Sequence, residues 1–193
     1  MKEIDAIFAE AGKSFVEVDE NEPSIFLAGP TPRNIRVPSW RPLVLHTLSR
    51  LNFEGQVFVP EDPKGGISME FEEQIEWEDT YLTDAKCIMF WIPRDLTLLP
   101  GFTTNIEFGR WCDSGKIVVG WLPGTPKMRY IEYYTRKLKI PTADTLNSTV
   151  KKAVEMARRR TKSVEELEKI AKEAEKFFHR TTDLNSLWNE DEK

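Results

Sequence analysis

The feature that most constrains the fold is a series of short apolar runs that alternate with helical patterns. The runs occupy residues 24–28, 56–59, 87–92 and 116–121, and residues 140–142 allow a fifth. Between them, apolar side chains recur at helical spacing. Strands that alternate with helices favour a parallel, doubly wound sheet. We therefore predict an α/β fold with four or five mainly parallel strands.

Three parts of the chain differ in pattern. Residues 1–22 are polar and mixed, which indicates an N-terminal arm, flexible or with a short helix. Residues 23–146 hold the alternating strands and helices and form the predicted α/β domain. Residues 147–193 are predicted to be a helical C-terminal extension, with a capping box at 163–166 and an apolar stripe along 164–178. The stripe is expected to be buried either on the domain or on a partner subunit.

Glu107 is the first candidate catalytic residue. It follows the apolar run 87–92 and lies near the start of a predicted helix, just before Phe108 and Gly109. In an open α/β sheet this position faces the carboxyl ends of the strands, where ligands bind. A carboxylate there can act as a nucleophile toward a sugar carbon.

The second candidate acid, Glu78, lies on a predicted helix over residues 68–82. Gln74, Trp77 and Tyr81 share its helical face, because they fall at i, i+3, i+4 and i+7. An amide, an indole, a carboxylate and a phenol on one face suit a sugar or a flat base. Alternatively, Glu78 is one more surface acid on an acidic helix. The apolar stripe of this helix is expected to face elsewhere: Phe71, Ile75 and Leu82.

Six short motifs follow one another along the chain. They are Phe26-Leu27-Ala28-Gly29-Pro30-Thr31, Trp40-Arg41, Pro60-Glu61, Gln74-x-x-Trp77-Glu78, Phe90-Trp91-Ile92-Pro93 and Thr103-Thr104-Asn105-Ile106-Glu107-Phe108-Gly109. In this order they resemble the nucleoside 2-deoxyribosyltransferase-like family over about residues 24–145.

This resemblance implies a Rossmann-like (flavodoxin-like) sheet and an enzyme that cleaves or transfers at the N-glycosidic bond of a (deoxy)nucleoside or nucleotide. Glu107 matches the glutamate that forms a covalent glycosyl-enzyme, and Glu78 falls where the superfamily has an aspartate near the sugar and base. The acceptor is another nucleobase in transferases and water in hydrolases, including hydrolases of nucleoside 5'-monophosphates. The expected substrate-binding residues are Ala28, Gly29, Pro30, Trp40, Gln74, Trp77, Tyr81, Thr104 and Asn105.

Three positions depart from the family pattern. Gly101 and Thr103 stand where the transferases commonly have the aspartate and glycine of Asp-x-Gly-Thr, and Lys86 stands where an aspartate usually ends the acidic helix. Asn105 is a candidate to supply a lost polar contact. The departures support a second hypothesis, a catalytically idle pocket that binds a nucleotide-like ligand.

The chemistry requires a proton donor for the leaving base as well as a nucleophile. Glu78 is the candidate acid, because burial or the charge of Glu107 can keep it partly protonated. Tyr81 and Asp79 are the alternatives.

Aromatic and basic residues near these motifs have two interpretations each. Trp40, Trp77 and Trp91 either stack a base or fill the core. The arginines after the first strand either turn inward to bind a 5'-phosphate or are ordinary surface charges. These arginines are Arg33, Arg36 and Arg41.

Composition excludes some classes of partner. The net charge of −5 argues against nucleic acid as a main partner. No apolar run approaches the roughly 20 residues that span a membrane. The N-terminus lacks the apolar core of a signal peptide, so a cytoplasmic location is expected. Family resemblance favours a homo-oligomer, a dimer or larger.

The cysteines and histidines give no sign of a metal site. Cys87 and Cys112 are expected to be free thiols, because two cysteines in a chain of 193 residues do not make a disulfide framework. His46 and His179 are too isolated to suggest a metal. We expect neither a metal nor a cofactor.

Overall fold

The computed structural model describes residues 3–32, 37–161, 169 and 172–177. The chain divides into two compact units, Met1–Thr161 and Lys162–Lys193. In the second unit, residues 169 and 172–177 are helical. The predicted capping box and most of the predicted apolar stripe lie outside the described residues.

The first unit is a parallel sheet covered by helices. Its elements are β1 (Asp5–Phe8), β2 (Ser24–Ala28), α1 (Arg41–Arg50), β3 (Gln56–Val59), α2 (Phe71–Asp84), β4 (Cys87–Trp91), α3 (Phe102–Trp111), β5 (Ile117–Gly120), α4 (Arg129–Lys137), β6 (Thr142–Ala143) and α5 (Leu146–Arg160). In the described part of the chain the sheet has six strands in the order β1-β3-β2-β4-β5-β6, and every neighbouring pair is parallel. The predicted doubly wound α/β fold is confirmed, with six strands rather than four or five.

The four inner strands are buried along their whole length, because helices cover both faces of the sheet. Successive residues of a strand point to opposite faces. Phe26 packs in the core shared with α2, α3 and α4, and Leu27 packs in the core shared with α1 and α5. Among the described residues, no helix is long and apolar enough to cross a membrane.

The first edge strand, β1, lies within the predicted N-terminal arm. It pairs with β3 from Asp5 opposite Gln56 to Phe8 opposite Val59. The expectation of a flexible arm or a short helix for residues 1–22 therefore differs from the structure. Four residues carry too little periodicity to identify a strand, and it is the exposed edge of β3 that provides the backbone partners.

The last helix of the first unit, α5, lies beyond the predicted domain boundary at residue 146. Its N-cap residue Thr145 accepts a hydrogen bond from the Ser148 N–H at 3.2 Å. Val150, Ala153 and Ala157 are buried in the core that α1 and the sheet share with this helix. The compact unit therefore continues to Thr161, because α5 covers apolar strand surface that would otherwise be exposed.

At Gly120, α5 approaches the sheet closely. A Cβ at this position would lie 2.0 Å from the Thr149 hydroxyl oxygen and 2.8 Å from the Trp91 ring. We expect Gly120→Ala to destabilise the protein by about 2–3 kcal/mol, because the buried Thr149 side chain and the Trp91 ring must move. Urea denaturation measures the change. Gly109→Ala is the matched control, since a Cβ there meets no atom within 4 Å. Equal stability of the two variants would contradict the prediction.

Candidate active site

The candidate active site lies where the chain changes direction across the sheet. From β2 the chain passes through α1 to β3 on one side, and from β3 it crosses through α2 to β4 on the other side. The loops after β2 and β4 therefore diverge and leave a crevice at the carboxyl ends of the strands. A cavity of about 520 Å³ opens there, within the usual range for small-molecule sites.

The loop after β2 forms one wall of this pocket through Ala28, Gly29 and Pro30. Gly29 has a φ of 144°, and a Cβ there would lie 2.2 Å from the Trp91 carbonyl oxygen. Only glycine fits this conformation and this close approach to the end of β4. The Trp40 indole N–H donates to the Pro30 carbonyl at 3.1 Å and supports the loop from behind.

Arg41 fixes the same loop from inside the protein. Its side chain is 1% exposed. Its Nε donates to the Leu27 carbonyl at 3.1 Å, its Nη2 donates to the Gly29 carbonyl at 2.9 Å, and its Nη1 donates to the Thr31 hydroxyl at 3.1 Å. Arg41 thus holds the segment from Leu27 to Thr31 at three points beside the pocket wall.

Glu61 balances the buried charge of Arg41. The Arg41 Nη1 donates to the Glu61 carboxylate at 2.5 Å, and Glu61 is 3% exposed. Burial lowers the pKa of Arg41, while the charges of Glu61 and Glu107 raise it. A buried guanidinium with a carboxylate partner stays charged. The Arg41 charge therefore acts on the pocket from one side.

Glu107 enters the pocket from α3. The N-cap of this helix is Gly101, which is left-handed at φ 65° and lines the pocket. This turn directs the chain from the end of β4 into the helix, so that Glu107 in its second turn lines the cavity with a half-buried side chain. Glycine adopts a left-handed conformation more easily than any other residue, which explains why a glycine stands at position 101.

Glu78 enters the pocket from α2, with Gln74 beside it. Both residues line the cavity. The Gln74 Nε2 donates to the Glu78 Oε1 at 2.8 Å. One oxygen of the Glu78 carboxyl group is therefore held by the protein.

The two carboxyl groups share one electrostatic environment. Burial is the main cause that raises the pKa of Glu107 to about 7, the charge of Glu78 raises it further, and Arg41 opposes the shift. Burial also raises the pKa of Glu78, against the Gln74 hydrogen bond and the Arg41 charge. Two coupled acids of this kind titrate as a pair, so the pair holds a proton near neutral pH. Such a pair can supply both an anionic nucleophile and a proton donor.

The other walls of the pocket are largely apolar. Ile67, Phe71, Ile75 and Phe102 line the cavity, although each is more than 40% exposed. In the described part of the chain, no cluster of histidine, cysteine or acidic side chains is arranged to hold a metal ion.

Comparison with models of protein families identifies the family to which this chain belongs. A family model described as nucleoside 2-deoxyribosyltransferase like matches residues 22–125, more than half of the chain. The chain belongs to the nucleoside 2-deoxyribosyltransferase-like family. The matched residues include Gly29, Arg41, Glu78 and Glu107, and the predicted resemblance is confirmed. Comparison with curated proteins finds no match.

Six of the predicted site residues of this deoxyribosyltransferase-like chain line one pocket: Ala28, Gly29, Pro30, Gln74, Glu78 and Glu107. They come from the loop after β2, from α2 and from α3. Trp40 and Thr104 lie behind the wall, where Trp40 supports Pro30 and the Thr104 hydroxyl is buried close to Gly101. Asn105 accepts a hydrogen bond from Arg94 and lines a groove between α3 and α4, not this pocket.

Trp77 and Tyr81 lie in the core rather than on the pocket wall. Tyr81 stacks on Phe58 with ring centroids 4.3 Å apart, and Trp77 packs against Tyr81 at 4.6 Å. The Tyr81 hydroxyl donates to the Val16 carbonyl at 3.0 Å and accepts from the Val16 N–H at 2.7 Å. Both aromatic side chains therefore pack α2 on the sheet, and Tyr81 also holds the N-terminal segment.

The apolar stripe predicted for α2 divides between two environments. Leu82 is in the core, whereas Phe71 is 75% exposed and Ile75 is 48% exposed at the pocket. The helix is thus rotated relative to the expectation, so that its aromatic pair faces the sheet.

Two features of the site were not predicted from the sequence. The first is the Arg41–Glu61 pair, although both residues stand in family motifs that follow neighbouring strands. Their opposite charges after β2 and β3 were the available signal. The second is the apolar wall of the pocket, because the spacing of apolar residues along the chain does not distinguish pocket-lining residues from core residues.

The departures from the family pattern have different structural meanings. Gly101 stands at the pocket as the left-handed start of α3. Lys86 does not line this pocket and lies by a groove under the N-terminal segment instead. Position 86 therefore lies outside the pocket that Glu107 and Glu78 line.

Proposed function

We propose that this protein cleaves or transfers at the N-glycosidic bond of a (deoxy)nucleoside through a covalent intermediate on Glu107. The observation that carries the proposal is the placement of two coupled carboxyl groups, Glu107 and Glu78, on one cavity of nucleoside size. Membership of the nucleoside 2-deoxyribosyltransferase-like family supports an enzyme of this kind.

In the proposed first step, the ionised Glu107 attacks C1' of the sugar. The C1'–N bond breaks, its electron pair goes to the base, and Glu78 gives the base its proton. Positive charge on the sugar in the transition state is stabilised by the nearby carboxylate. In the second step Glu78 takes a proton from the incoming acceptor, which attacks C1' and releases Glu107.

A nucleoside without a 5'-phosphate fits the described pocket better than a nucleotide. Arg41 is the one cationic side chain among its described lining residues, and Arg41 is committed to Glu61 and to the loop after β2. Arg33 and Arg36 lie outside the described residues. Hydrolysis of a nucleoside 5'-monophosphate is therefore the alternative that the test must include.

The test is chromatography of pooled nucleosides and 5'-nucleotides, both ribo and deoxy, incubated with the protein. Each pool is run with and without a second free base. A new nucleoside that forms only with the added base indicates a transferase, and free base alone indicates a hydrolase. An unchanged pool, with ligand binding detected by calorimetry, would overturn the proposal in favour of an idle binding pocket.

Activity is expected to depend on pH in a bell shape with its upper limb near pH 7. The pKa of about 7 for Glu107 beside an ionised Glu78 marks the loss of the last proton that the two acids share, so above it no proton is available for the leaving base. At lower pH both acids are neutral and the nucleophile is lost. Measurement of kcat/KM from pH 4 to 9 checks this.

Glu78→Gln provides the control for the pH prediction. Without Glu78, Glu107 is the one titrating carboxyl group of the pair and its pKa falls below 7, so the upper limb is expected to disappear. Activity is then expected to rise through a single limb below pH 7 and to stay level above it. A wild-type profile that stays flat to pH 9 would contradict the shared-proton interpretation.

We further propose a cytoplasmic homo-oligomer. Phe71 and Phe102 at the pocket, and Ile106 on α3, expose large apolar side chains, and such surfaces are commonly covered by a partner. Light scattering that gives the mass of a single 22.4 kDa chain at micromolar concentration would contradict this.

A further inference from the structure

The side-chain amide of Gln74 is only half satisfied. Gln74 is 6% exposed and lines the pocket. Its Nε2 donates to Glu78 at 2.8 Å, whereas its Oε1 is buried and has no hydrogen-bond partner in the described structure. A buried carbonyl oxygen without a donor destabilises a protein, so an unsatisfied one at a pocket indicates a partner on the ligand.

The chemistry of Glu78 determines which way the amide faces. An ionised carboxylate only accepts hydrogen bonds, so Gln74 must present its N–H groups to it. When Glu78 is protonated on Oε2, its Oε1 still accepts from the same Nε2. In both states the carbonyl oxygen of Gln74 is the group left for another donor. The second oxygen of Glu78 is left to carry the proton for the leaving base.

We propose that Gln74 selects the base, with its Oε1 accepting a hydrogen bond from an exocyclic amino group while Glu78 donates to the neighbouring ring nitrogen. This inference rests on the proposed function. The ligand class is a nucleoside whose base carries an amino group beside a ring-nitrogen acceptor, as 6-aminopurines and 4-aminopyrimidines do. A 6-oxo or 4-oxo base places a carbonyl oxygen opposite Oε1, where two acceptors repel and both remain unpaired.

The surrounding wall strengthens this assignment. Phe26, Phe71 and Ile75 also line the pocket, and their side chains offer neither donors nor acceptors. These side chains give contact area to the ring faces of any base. Discrimination between bases by hydrogen bonding is then left to Gln74 and Glu78.

Two matched pairs of substrates test the proposal. 2'-Deoxyadenosine is compared with 2'-deoxyinosine, and 2'-deoxycytidine with 2'-deoxyuridine, because each pair differs in an amino or oxo group. The wild-type kcat/KM is expected to favour the amino member by roughly 10- to 100-fold. Gln74→Met keeps the length of the side chain and is expected to bring the ratio close to one. Glu76→Met, an exposed position on the same helix, is expected to keep the wild-type ratio.

Calorimetry with free adenine and hypoxanthine gives a second readout that needs no turnover. Adenine is expected to bind the wild type about tenfold or more tightly than hypoxanthine, and this difference is expected to vanish in Gln74→Met. Even if Gln74→Met fails to fold, a wild type that binds adenine and hypoxanthine equally overturns the proposal.

The outcomes separate the inference from the function on which it rests. Turnover without amino preference in either pair, or a preference that survives in Gln74→Met, overturns the role of Gln74 and leaves the proposed function standing. An adenine preference without turnover of any nucleoside supports the role of Gln74 and overturns the proposed catalysis. Neither turnover nor binding of either base overturns both.

Discussion

Replacement of Glu107 by glutamine is expected to lower kcat/KM by about 10⁴-fold or more, because an amide cannot form the glycosyl ester. Glutamine keeps the size of the side chain, so the half-buried pocket wall at this position should remain intact. The measurement is turnover of whichever nucleoside the wild type cleaves, together with the dissociation constant of that nucleoside. We expect the rate to fall much more than the affinity.

The covalent step has its own readout. Wild-type protein incubated with substrate but no acceptor base, then quenched in acid, is expected to gain the mass of one sugar residue on the peptide that contains Glu107. Glu107→Gln is expected to gain none. Glu78→Gln should still form the adduct, about 10²- to 10⁴-fold more slowly for substrates whose base needs protonation. Full turnover by Glu107→Gln would show that the nucleophile is another group.

Arg41→Met is expected to destabilise the protein by about 3–5 kcal/mol, because it leaves Glu61 buried without its partner. The carbonyls of Leu27 and Gly29 would lose their donor as well. Urea denaturation measures the loss. Arg50→Met, an exposed position at the end of the same helix, is the control and is expected to change stability by less than about 0.5 kcal/mol.

A double variant separates the buried charge from the packing. Arg41→Met combined with Glu61→Leu removes both charges, so it is expected to recover a large part of the stability that Arg41→Met loses. It should not recover activity, since the loop after β2 stays without its support. If Arg41→Met were no less stable than Arg50→Met, the pair would not be an organising element of the pocket.

The positions of Glu107 and Glu78 at the pocket could be predicted from the sequence. Alternation of strands and helices requires a parallel sheet, and parallel strands end at the same edge. The position of Glu107 behind one strand therefore placed it at the ligand-binding edge before any coordinates were known. Helical spacing added Glu78, the family motifs added the Ala28-Gly29-Pro30 loop, and the structure brings these residues to one pocket.

The sequence did not predict which face of α2 packs on the sheet. Helical spacing identified which residues share a face, but both faces of this helix carry large apolar side chains. Trp77 and Tyr81 turned inward because Phe58 of β3 and Val16 of the N-terminal segment provide a stacking partner and a hydrogen-bonding backbone. Both partners are distant in sequence, so local pattern carries no information about them.

The sequence by itself determined the parallel α/β sheet, the family and the two acids, because these follow from local periodicity and short motifs. The tertiary structure decided that β1 and α5 belong to the folded unit, that Arg41 points inward to Glu61, and that Gln74 rather than Trp77 faces the pocket. Each of these depends on contacts between residues far apart in the chain. Burial of apolar surface and of charge is settled by the whole packed structure, and no single segment of the chain encodes it.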